Sequence, residues 1–470
     1  MNPDNVNGYV SEYLSNTADK SVCVLIGHSI EAITSAVVLA SLGQRVHLYA
    51  DLERLAQQIQ QYSFEHHVQA LWHMYVQSQM ISSYALPTTA HQLIACYESK
   101  GHDCYGMNNT DVTDDSNATG QQETVSLYWL FLDSVKPIWT EASWITAFNH
   151  SHNQTLPLIM SGIEPLGHVA ELAQRLQRAW VYYVPFVFLQ DGDAYSSMLN
   201  PSLWLVGEKT ADSHQRLEVL KPLVQHARAV HYADIATIEF ARSSIMAMLA
   251  TRVSFMNEMS RLADSQQVDI SKVSRIMGLD ARVGSSYLQA GWGFGGNTLP
   301  TELTTLQQSS ATHSLDMPLL QAVMHINEDQ KELIFRKFWQ YFDGFIDNKT
   351  VVIWGGSYKS GSGRTTGSAI HPLLSLLWSY NIRTLVYSDK AKQELAALYD
   401  DQPLFSLLSE PYQQLSEAEA IFIVSWSPRD QLDIDKINRQ AMPVFDAQNV
   451  LTPAQINRLT GAYRGIGRSQ

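Results

Sequence analysis

The chain has 470 residues, enough for about three domains of roughly 150 each, and its 45% hydrophobic and 17% charged residues describe an ordinary globular protein able to bury a sizeable core. Forty-six acidic residues against 32 basic ones leave a net charge of -14, which argues against a nucleic-acid or anionic-membrane partner, because phosphate-rich surfaces are held by basic ones. The three cysteines, Cys23, Cys96 and Cys104, give neither a disulfide framework nor a metal-binding pair, and no cysteine chemistry is available after Cys104.

No basic segment followed by an apolar run opens the chain, and no stretch approaches about 18 uninterrupted apolar residues. A soluble, cytoplasmic protein that neither spans nor coats a membrane is expected.

In chain order, Val22-Cys23-Val24-Leu25-Ile26 reads as a buried parallel strand, Gly27 as a turn, 30 to 42 as a helix of small and apolar residues, and 46 to 49 as a second strand. Strand, glycine turn, helix and strand within about 30 residues make a βαβ unit of a doubly wound domain. Between 83 and 122 the pattern fails in a stretch rich in Thr, Asn, Asp, Gly and Ser, whose second half reads as a surface loop. Strand-like runs resume at 125 to 132, 156 to 160 and 180 to 184.

From 233 to 267 the chain reads as one helix of about 50 Å, with Ile238, Ile245, Met248, Leu249, Arg252, Phe255, Met256 and Met259 and no Pro or Gly. A second βα pattern begins at Thr350-Val351-Val352-Ile353-Trp354, runs through a Gly/Ser-rich loop to Ser368, and continues with a helix at 370 to 380 and strands at 384 to 387, 420 to 425 and 444 to 446. The expected fold is α/β: two doubly wound Rossmann-like parallel-sheet domains joined by a long central helix and a helical middle domain. The boundaries are placed at 1–210, 211–330 and 331–470. The histidine pairs His66-His67 and His150/His152 have no acid or thiol cluster at ligand spacing, so no metal is expected.

Several motifs then follow one another in a recognisable order. Phe188-Leu189-Gln190-Asp191-Gly192-Asp193-Ala194 with Leu199-Asn200-Pro201, the helix segment 249–258, Gly278-Leu279-Asp280-Ala281-Arg282-Val283-Gly284, Gly293-Phe294-Gly295-Gly296 and Asp446-Ala447-Gln448-Asn449 resemble the motifs of the UDP-glucose/GDP-mannose dehydrogenase family. The resemblance spans about residues 20 to 455. It implies an NAD-dependent enzyme of polysaccharide-precursor synthesis that dimerises through its central helix and oxidises C6 of a UDP- or GDP-sugar twice, through a cysteine thiohemiacetal and thioester.

The chain departs from that pattern where the chemistry lies. Thr298 stands at the cysteine position, Arg242 at that of a helical lysine, Met246 at that of an asparagine and Val187 at that of a glutamate; Glu302 alone keeps an acid, where the family has aspartate. Threonine is a poor nucleophile without an activating base, and Arg does not shed a proton at usable pH. The expectation is a non-catalytic or diverged homologue. Two other readings stay open: an active dehydrogenase with an altered residue set, and a ligand-free scaffold that partners a true dehydrogenase.

Substrate-side positions are better kept. The resemblance assigns Phe188, Leu189, Asp191, Arg282, Tyr287, Phe294, Gly295, Lys359 and Arg364 to nucleotide-sugar binding. The cofactor side reads Gly27-His28-Ser29-Ile30-Glu31-Ala32, with Ser29 where a second glycine belongs and Ala32 at the third position. Ala50 replaces the ribose-binding acid, with Asp51 one residue beyond. NAD is expected to bind weakly or not at all.

Overall fold

A computed structural model describes residues 21–61, 65–98, 124–187, 192–426 and 432–469. Within them the chain forms two compact units, residues 1–162 with 167–239, and residues 163–166 with 240–470. Each holds one largely parallel sheet, so the α/β fold of two Rossmann-like sheets is as expected.

The first sheet contains β1 (Ser21–Ile26), β2 (Arg45–Ala50), β3 (Ile81–Ala85), β4 (Thr124–Phe131), β5 (Leu158–Ser161), β6 (Val181–Tyr183), β7 (Trp204–Glu208) and β8 (Val230–Asp234), in the order 3-2-1-4-5-6-7-8. All pairings are parallel except β6 with β7. The chain winds outward one way to β3 and returns to β4, placing a topological switch between the carboxyl ends of β1 and β4, where doubly wound sheets receive ligands. Residues 22–26 are fully buried, as a central strand covered on both faces requires. Each such aliphatic side chain stabilises the fold by about 1.5–3 kcal/mol relative to its exposed state.

The second sheet contains β9 (Thr350–Trp354), β10 (Arg383–Tyr387), β11 (Phe405–Leu407), β12 (Ala420–Ile423), β13 (Val444–Asp446), β14 (Tyr463–Gly465) and β15 (Arg468–Ser469), in the order 11-10-9-12-13-14-15. Only β14 and β15 run antiparallel.

Two expectations on elements need correction. The polar stretch beginning at 83 is not irregular throughout: β3 and a helix, Ala90–Glu98, occupy its first half. β3 lies at the sheet edge with only Ile81 buried, so its residues carry little of the apolar signal of an inner strand. The remainder, 99–123, lies outside the described residues.

The long helix runs Ile235–Ser265 rather than from 233, because Ala233 and Asp234 pair with Gly207 and Glu208 in β8. Asp234 then marks the start, its carboxylate accepting from the Thr237 N–H at 2.9 Å and hydroxyl at 2.6 Å. The first unit thus extends past residue 210, to Glu239.

Candidate functional site

The residues matched to the catalytic positions sit mainly on two helices of the second unit, Ile235–Ser265 from 240 onward and Thr298–Thr312. Arg242 and Met246 are one turn apart, as are Thr298 and Glu302, so each pair shares a helix face. The faces meet through Ala247, Ala250, Leu303 and Leu306, which pack with Leu320 and Val323 of the helix Pro318–Lys331.

Inside this packing Arg242 and Glu302 form an ion pair. Glu302 is fully buried and Arg242 nearly so. The second carboxylate oxygen accepts from the Ser243 hydroxyl at 2.9 Å. Arg242 Nε has no hydrogen-bond partner among the described residues. Met246 is buried at the next turn, offering a thioether rather than an amide. Thr298 is exposed at the first turn of its helix. Glu302 is therefore enclosed, with the Arg242 guanidinium as its counter-charge.

The Gly293–Gly296 loop beside this cluster is held by three buried amides. Asn257 accepts from the Gly291 N–H at 2.9 Å, Gln330 donates to the Gly291 carbonyl at 2.7 Å, and Asn327 both accepts from the Phe294 N–H at 2.7 Å and donates to its carbonyl at 3.1 Å. Phe294 packs partly into the helical core. Gly295 and Gly296 lie against the loop after β9: the Gly296 N–H donates to the Thr366 carbonyl at 2.9 Å. A Cβ on Gly295 would stand 2.4 Å from the Gly367 oxygen, and one on Gly296 would stand 2.8 Å from the Tyr358 ring.

Packing alone requires these glycines. Gly295→Ala is expected to destabilise the second unit by about 1–3 kcal/mol or more, read as a lower urea midpoint. A midpoint equal to that of the unmodified protein would show that the loop yields.

The remaining substrate-side positions are dispersed. Arg282 is 89% exposed at its side chain and forks onto Asp280 of its own turn, at 3.0 and 2.7 Å. Tyr287 is also exposed. Lys359 is exposed and Arg364 half-buried on the loop after β9. That loop is closed by its own bonds: the Arg364 carbonyl accepts from the Tyr358 N–H at 2.9 Å, and Glu394 accepts from the Thr365 N–H at 2.8 Å and hydroxyl at 2.9 Å.

Phe188, Leu189 and Asp191 lie outside the described residues. Val187 packs against the core of the first unit. There too, Gly27 makes the turn after β1, Ser29 caps the helix Ile30–Ser41, Ala32 is buried, and Asp51 caps the helix Leu52–Gln61. Among the described residues no group of three or more His, Cys, Asp or Glu is placed to hold a metal ion.

Residues 236–329 match the central domain of the UDP-glucose/GDP-mannose dehydrogenase family. The chain is 31% identical over 288 residues to a UDP-glucose 6-dehydrogenase of Pseudomonas aeruginosa, and 25% identical over 284 residues to one of Rickettsia bellii. The matches support membership of that family. They cover 60% of this chain in both cases, and 64% and 65% of the two relatives, so the chain spans less than two thirds of the curated relatives it matches.

The fold is that of a UDP-glucose dehydrogenase from Pyrobaculum islandicum, with a TM-score of 0.74 at 17% identity over 97% of this chain and all of that one. A UDP-D-ManNAc dehydrogenase from Pyrococcus horikoshii follows at 0.69 and 14%, over 95% and 99%. Ser243, Asn327 and Gln330 carry no motif in the sequence, and Asn257 enters it only within the helix segment 249–258. The available signal is a polar residue on the apolar face of a helix, where only a buried partner justifies it.

Proposed function

We propose that this chain is a homologue of the nucleotide-sugar 6-dehydrogenases that retains a UDP- or GDP-sugar site but does not carry out the family's oxidation. The buried Arg242–Glu302 pair supports this reading above all. A general base must reach the proton it removes, directly or through one water. Glu302 is paired with Arg242, accepts from the Ser243 hydroxyl and has no exposed surface, so in this reading it activates neither water nor the Thr298 hydroxyl.

In this reading the first unit, up to Glu239, carries a degenerate dinucleotide fold, the helices from 240 to 330 pair two copies, and 331–470 is the nucleotide-sugar end. The catalytic positions Thr298, Arg242, Met246, Val187 and Glu302 are vestigial. Polysaccharide-precursor synthesis in the cytoplasm is the setting implied by the relatives' substrate, and no described helix is long and apolar enough to cross a membrane.

A panel of UDP- and GDP-sugars should raise the melting temperature, since a ligand at 100 times its dissociation constant adds about 2.7 kcal/mol. A flat panel would favour the ligand-free scaffold instead.

The exposed face of the central helix supports pairing of two copies. Phe240, Met248, Phe255 and Leu262 recur every seven or eight residues, at 60%, 60%, 45% and 55% exposure, which is the repeat of a helix seam rather than of a solvated face. Light scattering at micromolar concentration is expected to give twice the 52.8 kDa chain mass, falling to one chain in Phe255→Asp/Leu262→Asp. A monomer before substitution would overturn the pairing.

A further inference from the structure

A dinucleotide bound at the first turn of a doubly wound sheet makes three demands. The backbone must come close to the pyrophosphate, the N–H groups opening the first helix must be available to it, and an acid at the end of the second strand must take the ribose hydroxyl. This chain answers each of them from within.

Ser29 sits in an extended cap conformation, φ -68° and ψ 166°, and its hydroxyl accepts from the Ala32 N–H at 3.3 Å. Its own N–H donates to the Ser134 hydroxyl at 3.1 Å, from the segment directly after β4. Gly27 needs no ligand to account for it: a Cβ there would stand 2.7 Å from that of Phe131 and 3.1 Å from that of Ser134.

At the ribose end Ala50 contributes a buried methyl group. Asp51, one residue later, accepts from the Arg54 N–H at 3.2 Å and pairs with the Arg54 guanidinium at 3.5 Å. The residues present do not fit NAD.

We infer that the dinucleotide turn is closed by an internal latch, in which the Ser29 and Ser134 hydroxyls occupy the hydrogen-bonding seat that an open turn offers to a pyrophosphate. The latch explains how a turn keeps its first glycine and its helix while losing its ligand: the serine cap satisfies the helix terminus that the pyrophosphate would otherwise satisfy. The inference rests on the family reading only for the identity of the excluded ligand. Its test is one of binding at the first sheet, so its failure would leave the Arg242–Glu302 pair and the sugar site as they stand.

Calorimetric titration with NAD and with ADP-ribose is expected to give no saturable binding to the unmodified protein up to about 1 mM. In Ser29→Gly/Ser134→Ala both probes should bind at least about tenfold more tightly, and adding Ala50→Asp should tighten them again through the ribose. Circular dichroism checks that the variants fold. Should the double variant fail to do so, Ser29→Gly alone carries the same expectation, since glycine is itself accepted at a helix cap. Micromolar binding of either probe by the unmodified protein would overturn the latch, and so would a folded variant that binds no better than its parent.

Discussion

Glu302→Ala lowers the stability of the second unit by about 3–5 kcal/mol, because it leaves the Arg242 guanidinium buried without a counter-charge. Arg242→Ala is expected to do the same from the other side. Ser243→Ala removes only one hydrogen bond to the carboxylate and should cost about 1–3 kcal/mol. The double change Arg242→Met/Glu302→Leu replaces the pair with apolar groups of similar reach. It should lie within about 1 kcal/mol of the unmodified protein or exceed it, since the attraction of a buried pair seldom outweighs the loss of hydration.

A thermodynamic cycle over these variants, read by urea unfolding, would therefore show strong coupling between two residues sixty positions apart. Additive single and double effects would mean that the two groups do not depend on each other, and the structural role given to Glu302 would fall.

The second large effect is an absence of rescue. Thr298→Cys supplies the nucleophile of the family's mechanism at an exposed helix start, yet Arg242, Met246 and Val187 remain. Groups that act as a unit are strongly non-additive, so restoring one of them should leave the rate with UDP-glucose and NAD at background. Thr298→Cys, Arg242→Lys, Met246→Asn and Val187→Glu together restore the matched set, and even they depend on opening the Ser29–Ser134 turn. Substantial turnover from Thr298→Cys alone would show that the other positions matter little.

How much of this was legible in the sequence differs between fold and site. The β1–turn–helix–β2 unit and the strand at Thr350–Trp354 announce themselves because inner parallel strands are continuous apolar runs and glycine marks the turn after them. The edge strand β3 gives no such signal, because an edge buries little and its Ser82 and Ser83 look like loop residues. The long helix starts two residues later than its pattern predicts, since Ala233 and Asp234 carry no helix-breaking signal and only the sheet partner β7 makes them a strand.

At the site, the resemblance marks Thr298, Arg242, Met246 and Val187 as departures from the family pattern and Glu302 as the position that keeps an acid. Residue types could not show that Arg242 and Glu302 pair, because that contact arises from two helices folding together rather than from local spacing. Nor could they separate the two meanings of the Gly293–Gly296 loop. Close approach by a ligand and close approach by Gly367 and Tyr358 demand the same residues, and the folded backbone supplies the second.

On the proposed reading this chain keeps the dehydrogenase fold without the family's oxidation. The most direct measurement follows absorbance at 340 nm while the unmodified protein is held with NAD and either UDP-glucose or GDP-mannose. The account predicts no NADH above that of a protein-free mixture. Steady NADH formation above that mixture, dependent on both the sugar nucleotide and the protein, would contradict it.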